Sequence, residues 1–364
     1  VNSALSIKKF ASTKYEPHII NSVGEWDNSL KELEIKKIKS VNFYNDNKIE
    51  KFKTKGFINS RLLYIYIFFK SFFPLLKLIK KNDKSFLIIH LLTSLPLFLN
   101  LIFNLNIKII LRISGYPKLN FLRKFFWKIA LRKVSFVTCP TEETLESLIK
   151  NKIVDRNKLV LLRDPVLNIK EIQKSLGKKD DEDLKRFLGK KFYLAVGRLT
   201  KQKNFSFLIS CFNEIINYDK NKILLIIGEG ESYKELVGLI KKFNLEKNIF
   251  LLGYKENIFD YFKACECFIL SSLWEDPGFV IVEAAYFGKK ILSSNCRSGP
   301  KEILRNGKAG VLFENNSKKD FLEQFKFLIK MNNDESFESR LNAKKISKNY
   351  SLFSHFKSIN NLIS

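Results

Sequence analysis

Short apolar runs alternate with longer amphipathic stretches along nearly the whole chain, and that alternation predicts most of its elements. "NSALSIKKFASTKYEPHIIN" reads as a helix feeding a strand at 16–22, and "SRLLYIYIFFKSFFPLLKLIKK" (60–81) as a long apolar helix with Pro74 as a candidate kink. Strands are predicted at 86–91, 107–113, 135–140 and 158–166; a helix with an N-cap at Thr141 follows the third. The alternation restarts further on, with strands at 192–197, 222–228, 249–253, 267–272, 289–295 and 310–313. Helices at 204–216, 232–244 and 258–265 separate the first of these.

Strands separated by helices of this length imply parallel sheets with right-handed crossovers. At 364 residues the chain exceeds one typical core. The predicted class is therefore α/β, with two doubly wound Rossmann-like domains facing each other across a cleft. The first domain is placed at 1–167, the charged stretch 168–190 as the connection, and the second domain at 191–345. A last helical segment, 346–364, is expected to cross back to the first domain. The chain opens on a helix, whereas such domains usually open with a strand and a glycine turn. That first strand and glycine loop are accordingly expected to be missing. Residues 86–107 carry no charge, yet Pro96, Thr93, Ser94 and three asparagines interrupt them, which predicts strand, helix and strand rather than a membrane span.

Charge sharpens the contrast between the halves. The formal net charge is +27; residues 1–170 hold 31 Lys and Arg against 13 acids, while residues 171–364 hold 33 against 24. One reading is an anionic partner for the first half: a membrane surface, a phosphate-bearing substrate or nucleic acid. The other is a compositional bias that also enriches Asn, Ile and Phe. The basic residues are dispersed and no recognition motif accompanies them, so nucleic acid is not expected as a partner. Five cysteines without paired spacing (139, 211, 265, 267 and 296) read as buried thiols of a reducing, cytoplasmic setting. No basic-then-apolar leader pattern is present in the sequence.

Candidate chemistry concentrates at strand ends of the second half. In "SSLWEDPGFVIVEAAYFG" (271–288), Glu275 precedes a turn and Glu283 lies about one turn into the helix starting at Phe279. A helix start there aims free N–H groups, near Gly278, Phe279 and Val280, at a phosphate or sugar oxygen. Two carboxylates suit vicinal diols, which donate hydrogen bonds to them. The plainer reading makes Glu275 a solvated turn residue and Glu283 a helix-start acid. "AVGRLTKQKNF" puts Gly197, Arg198 and Lys203 between a strand and a helix, where two cations suit a diphosphate. "IIGEGES" adds a glycine turn at Gly228 and Gly230, and "SGPKEIL" another turn before a helix.

With these motifs in this order and spacing, residues 192–305 resemble the donor domain of the retaining GT-B glycosyltransferases of glycosyltransferase family 4, the glycosyl transferases group 1. The resemblance implies that Arg198 and Lys203 bind the donor diphosphate, Glu283 the ribose and Glu275 the transferred sugar. It implies that Gly278, Phe279 and Val280 meet phosphate and sugar, and that the Gly228–Gly230 loop meets the nucleotide side. It further implies catalysis centred on Glu275, Arg198 and Lys203, with front-face attack, retention of configuration and no metal. The favoured donor is a UDP-sugar carrying a hexose or N-acetylhexosamine. Asp276-Pro277-Gly278 departs from the family's Gly-Phe-Gly. The N-terminal glycine loop is absent, and Ser114-Gly115 stands where the family has His-Gly, with His90 as the substitute candidate.

The acceptor side is read from the first half. The stretch 116–133 interleaves Lys118, Arg123, Lys124 and Lys128 with aromatic residues including Trp127, and residues 62–79 offer a second apolar surface. One reading is a helix on an anionic membrane with a lipid-linked or saccharide acceptor, at the cytoplasmic face of the inner membrane, in cell-surface polysaccharide synthesis. The other is a core helix with a solvated basic side. Two further functions stay open: a sugar-nucleotide epimerase of the same architecture, and a truncated donor-binding protein without activity.

Overall fold

The computed structural model describes residues 1–22, 33–34, 36–43, 57–83, 85–90, 94–115, 117, 119–177 and 181–364. The chain forms two compact units: Val1–Pro165 with Leu352–Ser364, and Val166–Ser351.

In the first unit, β1 (His18–Asn21) pairs in parallel with β2 (Lys39–Asn42). A second, fully parallel sheet runs in sequence order through β3 (Phe86–Ile89), β4 (Lys108–Arg112), β5 (Phe136–Cys139) and β6 (Leu159–Leu161). Its middle strands are near-continuous apolar runs because both faces are covered; Ile109, Ile110, Leu111 and Val137 are buried. The uncharged segment does become β3 followed by the helix Ser94–Phe103. The helix Phe57–Lys81 runs through Pro74 and packs Leu75, Leu76 and Ile79 against Leu95 and Leu99 of that helix. The pattern missed β2, whose Lys-Ser-Val-Asn offers a single apolar residue and owes its place to β1.

The chain does return to the first unit, but from Leu352 rather than from 346. The helix Leu352–Ile363 packs on the helix Asn2–Ala11 through Phe10, Phe353 and Phe356, with ring centroids 5.3 and 5.5 Å apart. The expected connection at 168–190 is corrected by the structure. Those of its residues that are described belong to the second unit, with Ile172 and Phe187 buried in its core. Charge misled the sequence reading because it is consumed locally: Asp181 accepts from Tyr261 Oη at 2.9 Å and from Lys255 Nζ at 3.2 Å.

The second unit is built on six parallel strands: β7 (Phe192–Val196), β8 (Ile223–Ile227), β9 (Ile249–Leu251), β10 (Cys267–Leu270), β11 (Lys290–Ser294) and β12 (Val311–Phe313). Their spatial order is β12-β11-β10-β7-β8-β9. Successive side chains of β7 point to opposite faces and found two cores. Tyr193 and Ala195 join Phe212, Phe321 and Phe325, whereas Phe192 and Leu194 join Phe262, Phe268 and Ile281. Fully burying each such aromatic contributes about 1.5–3 kcal/mol, so the sheet is a stiff base for the loops at its ends. The order reverses between β7 and β10, which pair directly. In an open α/β sheet that switch point leaves a crevice at the strands' carboxyl ends, where ligands bind.

Candidate functional site

The segments leaving β7 and β10 meet at this switch point and are stitched together. Leu273 N donates to Gln202 O at 2.8 Å, Gln202 Nε2 to Trp274 O at 2.9 Å, and Ser271 Oγ to Lys203 O at 2.8 Å. These bonds bring two predicted residues into contact. Lys203 Nζ donates to Glu275 Oε1 at 2.6 Å, and Ser272 Oγ donates to the same oxygen at 2.5 Å. Glu275 is 4% exposed, which overturns the reading of it as a solvated turn residue. Arg198, by contrast, is exposed at the mouth of the same loop.

Gly278 (φ 89°) starts the helix Phe279–Tyr286, and among the described residues no side chain caps that helix start. Its first-turn N–H groups therefore open at the switch point, next to the Lys203–Glu275 pair. Glu283 lies half-buried in the second turn, and burial pushes its carboxyl up to about 7. The Gly228–Gly230 loop lies against 197–199: Leu199 N donates to Glu229 O at 2.8 Å, and a Cβ on Gly228 would come within 1.9 Å of Gly197 O.

Sequence reasoning missed the bracing of the Glu275 turn. Glu275 N donates to Arg297 O at 3.1 Å, and Gly299 (φ 130°) packs so closely that a Cβ there would reach 1.8 Å from Pro277 O. The "SGP" turn signalled a loop, but nothing in its spacing showed that it would press on another loop. Ser272 was equally unmarked, although a hydroxyl three residues before a glutamate is a local partner that the sequence offers.

In the first unit, His90 follows β3 directly and Arg112 ends β4. Arg112 Nε donates to Asp164 Oδ1 at 2.8 Å, a buried pair the sequence reading did not single out. Burial, with the Arg112 guanidinium, holds His90 down to about 3, so its imidazole is neutral at pH 7. Ser114 is exposed and Gly115 half-buried just after β4. Trp127 is buried in the core, which corrects its placement in a membrane-facing patch, while Arg123 and Lys128 are exposed. Lys124 Nζ lies 3.3 Å from Asn151 Oδ1, and Lys118 lies outside the described residues. All five cysteines are free and buried, and burial raises Cys139, Cys211, Cys265 and Cys296 to about 12, so these four stay protonated at neutral pH.

The family model described as glycosyl transferases group 1 matches residues 177–350. The second unit belongs to that family. The chain is 30% identical over 258 residues to an uncharacterized glycosyltransferase of Methanocaldococcus jannaschii, covering 67% of this chain and 63% of the relative. It is 29% identical over 217 residues to a Campylobacter jejuni enzyme, N-acetylgalactosamine-N,N'-diacetylbacillosaminyl-diphospho-undecaprenol 4-alpha-N-acetylgalactosaminyltransferase, covering 59% of this chain and 57% of that enzyme. The matches thus span about three fifths of either relative's length. The solved structure of HepE from Anabaena in complex with UDP superposes with a TM-score of 0.73 at 15% identity, covering 99% of this chain and 94% of HepE. The architecture is the GT-B fold of glycosyltransferases, and the Lys203–Glu275 pair lies within the family-matched residues.

Proposed function

We propose that the protein is a retaining glycosyltransferase. It moves a hexose or N-acetylhexosamine from a nucleotide diphosphate sugar, UDP-linked in the favoured case, to a lipid-linked or saccharide acceptor in cell-surface polysaccharide synthesis. The observation that carries this reading is the buried Lys203–Glu275 pair beside an uncapped helix start at the switch point. A diphosphate arriving there competes with Glu275 for the Lys203 ammonium, and Arg198 adds a forked donor. Lys203 then turns to the phosphate, and the released Glu275 carboxylate accepts hydrogen bonds from the sugar's hydroxyls. Glu283 takes the ribose diol, and the Gly228–Gly230 loop meets the nucleotide side. The bond from the anomeric carbon to the phosphate oxygen breaks as the acceptor oxygen bonds to the same face of that carbon. The leaving phosphate takes the acceptor's proton. Preorganised cations and helix N–H groups stabilise the charge developing on the diphosphate, so the reading calls for no metal.

The acceptor is assigned to the first unit, where His90, Ser114 and Gly115 follow strand ends. The lipid-linked case is supported by the Campylobacter relative, whose name specifies a diphospho-undecaprenol acceptor. On this reading the protein works peripherally at the cytoplasmic membrane face. An epimerase would return an isomerised nucleotide sugar with no transferred product, and a binding-only protein would retain the nucleotide unchanged.

Calorimetric titration of UDP and GDP tests the donor site. UDP is expected to bind, and Glu283→Ala to weaken it about 10- to 100-fold, the worth of hydrogen bonds to a charged group. Failure of both nucleotides to bind would sink the proposal. Binding should also depend on pH. The ionised carboxylate is the better acceptor and burial holds it near 7, so affinity should fall as pH drops below about 7 and level off above it. In Glu283→Gln that dependence should vanish. Because the folded pKa lies above the ordinary value of 4.5, the same group works against stability as pH rises from about 4.5 to 7. Thermal melts across that window, compared with Glu283→Gln, read this second effect.

A further inference from the structure

Helices in the first unit carry apolar residues on the wrong side for a soluble protein. On the helix Phe57–Lys81, Leu62, Ile65, Phe69 and Phe73 recur at helical spacing and face outward, Phe69 at 70% and Phe73 at 75% exposure. The flank that carries Phe68, Phe72, Leu75 and Ile79 is the packed one. The helix Phe121–Ala130 repeats the arrangement: Phe121 (83% exposed), Leu122, Phe125 and Ile129 face outward, while Trp127 and Ala130 face the core.

The helix Ser94–Phe103 links the two. Tyr64 Oη lies 2.6 Å from Ser94 Oγ, and Phe72 meets Phe103 at 6.3 Å between ring centroids. On its other flank, Asn100 Nδ2 donates to Lys133 O at 3.1 Å, just past the basic helix. The connections β3–β4 and β4–β5 join neighbouring strands in sequence order, and right-handed crossovers put both of their helices on one face of the sheet. Charge separates the possible occupants. Residues 57–141 hold fourteen Lys and Arg and a single acid, Asp83. A symmetric contact with a second copy would set these like charges against one another. An anionic bilayer meets both requirements, taking the phenylalanines among its acyl chains and the cations at its headgroups.

We infer that the Phe57–Lys81 and Phe121–Ala130 helices form one membrane-docking surface that lies in the plane of an anionic bilayer. The Phe57–Lys81 helix is long and apolar enough to cross a membrane by length and composition. It docks sideways instead, because spanning would strip Leu75, Leu76 and Ile79 from their partners and carry Lys70 and Lys77 into the hydrocarbon. This surface deepens the lipid-linked acceptor reading and rests on it for its purpose, but it lies wholly within the first unit.

The test is flotation of the full chain with vesicles of phosphatidylcholine alone and of phosphatidylcholine with phosphatidylglycerol. Retention is expected on the anionic vesicles, weakening as salt rises. Phe69→Ser/Phe73→Ser and Phe121→Ser/Phe125→Ser should each lower retention about tenfold or more. UDP titration of each variant shows whether the donor site is intact, so loss of docking and failure of the donor reading are told apart. A variant with altered UDP binding or melting is replaced by Lys128→Glu, on the exposed side of the basic helix. Absence of retention, or variants retained like the parent, overturns the inference. Retention that survives alkaline carbonate overturns in-plane docking in favour of a span. A dimer that the serine variants dissociate, without effect on vesicle binding, assigns the face to a second copy.

Discussion

Lys203→Met should lower the turnover of donor into free nucleotide about 10²- to 10³-fold, the scale of losing one preorganised charge partner of the transition state. It should also lower stability by about 3–5 kcal/mol. Lys203 and Glu275 are 12% and 5% exposed, so the variant leaves a carboxylate buried without its ammonium. The two effects separate in a double variant. Lys203→Met/Glu275→Gln removes the stranded charge, so stability should recover in part. Activity should not recover if Lys203 is the diphosphate's cation, as proposed. Chemical denaturation and nucleotide-release assays on the two single variants and the double variant measure both. If activity returned together with stability, Lys203 would be a structural ion-pair partner only, and its assignment to the diphosphate would fail.

Gly299→Ala should cost activity about 10²-fold through a residue assigned no contact with substrate. Its φ of 130° is strained for any side chain, and the new Cβ would fall 1.8 Å from Pro277 O, a backbone atom that must move. Pro277 lies in the turn joining Glu275 to the helix start at Gly278, so the displacement passes to both. A shift of about 1 Å at a positioned group is enough for a loss of that size. Gly177→Ala is the control, since its positive φ of 68° carries strain while its Cβ would meet nothing within 4 Å. Equal loss of activity in both variants would show backbone strain, rather than contact with the 275–278 turn, to be the cause. Nucleotide titration of Gly299→Ala shows whether nucleotide binding survives the substitution.

Much of this was legible in the order of residues. The strands of both sheets announce themselves because a doubly covered parallel strand is an unbroken apolar run, as in Phe192–Val196 and Ile223–Ile227. Arg198, Lys203 and Glu275 stood out as candidates because each follows such a run at a turn, and Glu283 because it lies in the helix that begins after that turn. The weak strand Lys39–Asn42 was not, since its position depends on a partner rather than on its own side chains. Nor was the true place of 168–190, whose charges read as solvated until Tyr261 and Lys255 were seen to bind them.

By itself, then, the sequence determined the α/β class, the parallel strands and the set of polar residues at their ends, because periodicity and turn chemistry are local properties of the chain. The tertiary structure alone decided which of those residues touch. The reversal of strand order between β7 and β10 brings Lys203 to Glu275 across 72 positions, and Gly299 closes on Pro277 only once β11 lies beside β10. It also decided which apolar residues are core and which face outward. Phe121 and Trp127 are both large aromatic residues of one amphipathic stretch, and the helix's packing buries Trp127 and leaves Phe121 bare. Pairings of this kind depend on chain topology, which local sequence patterns do not encode.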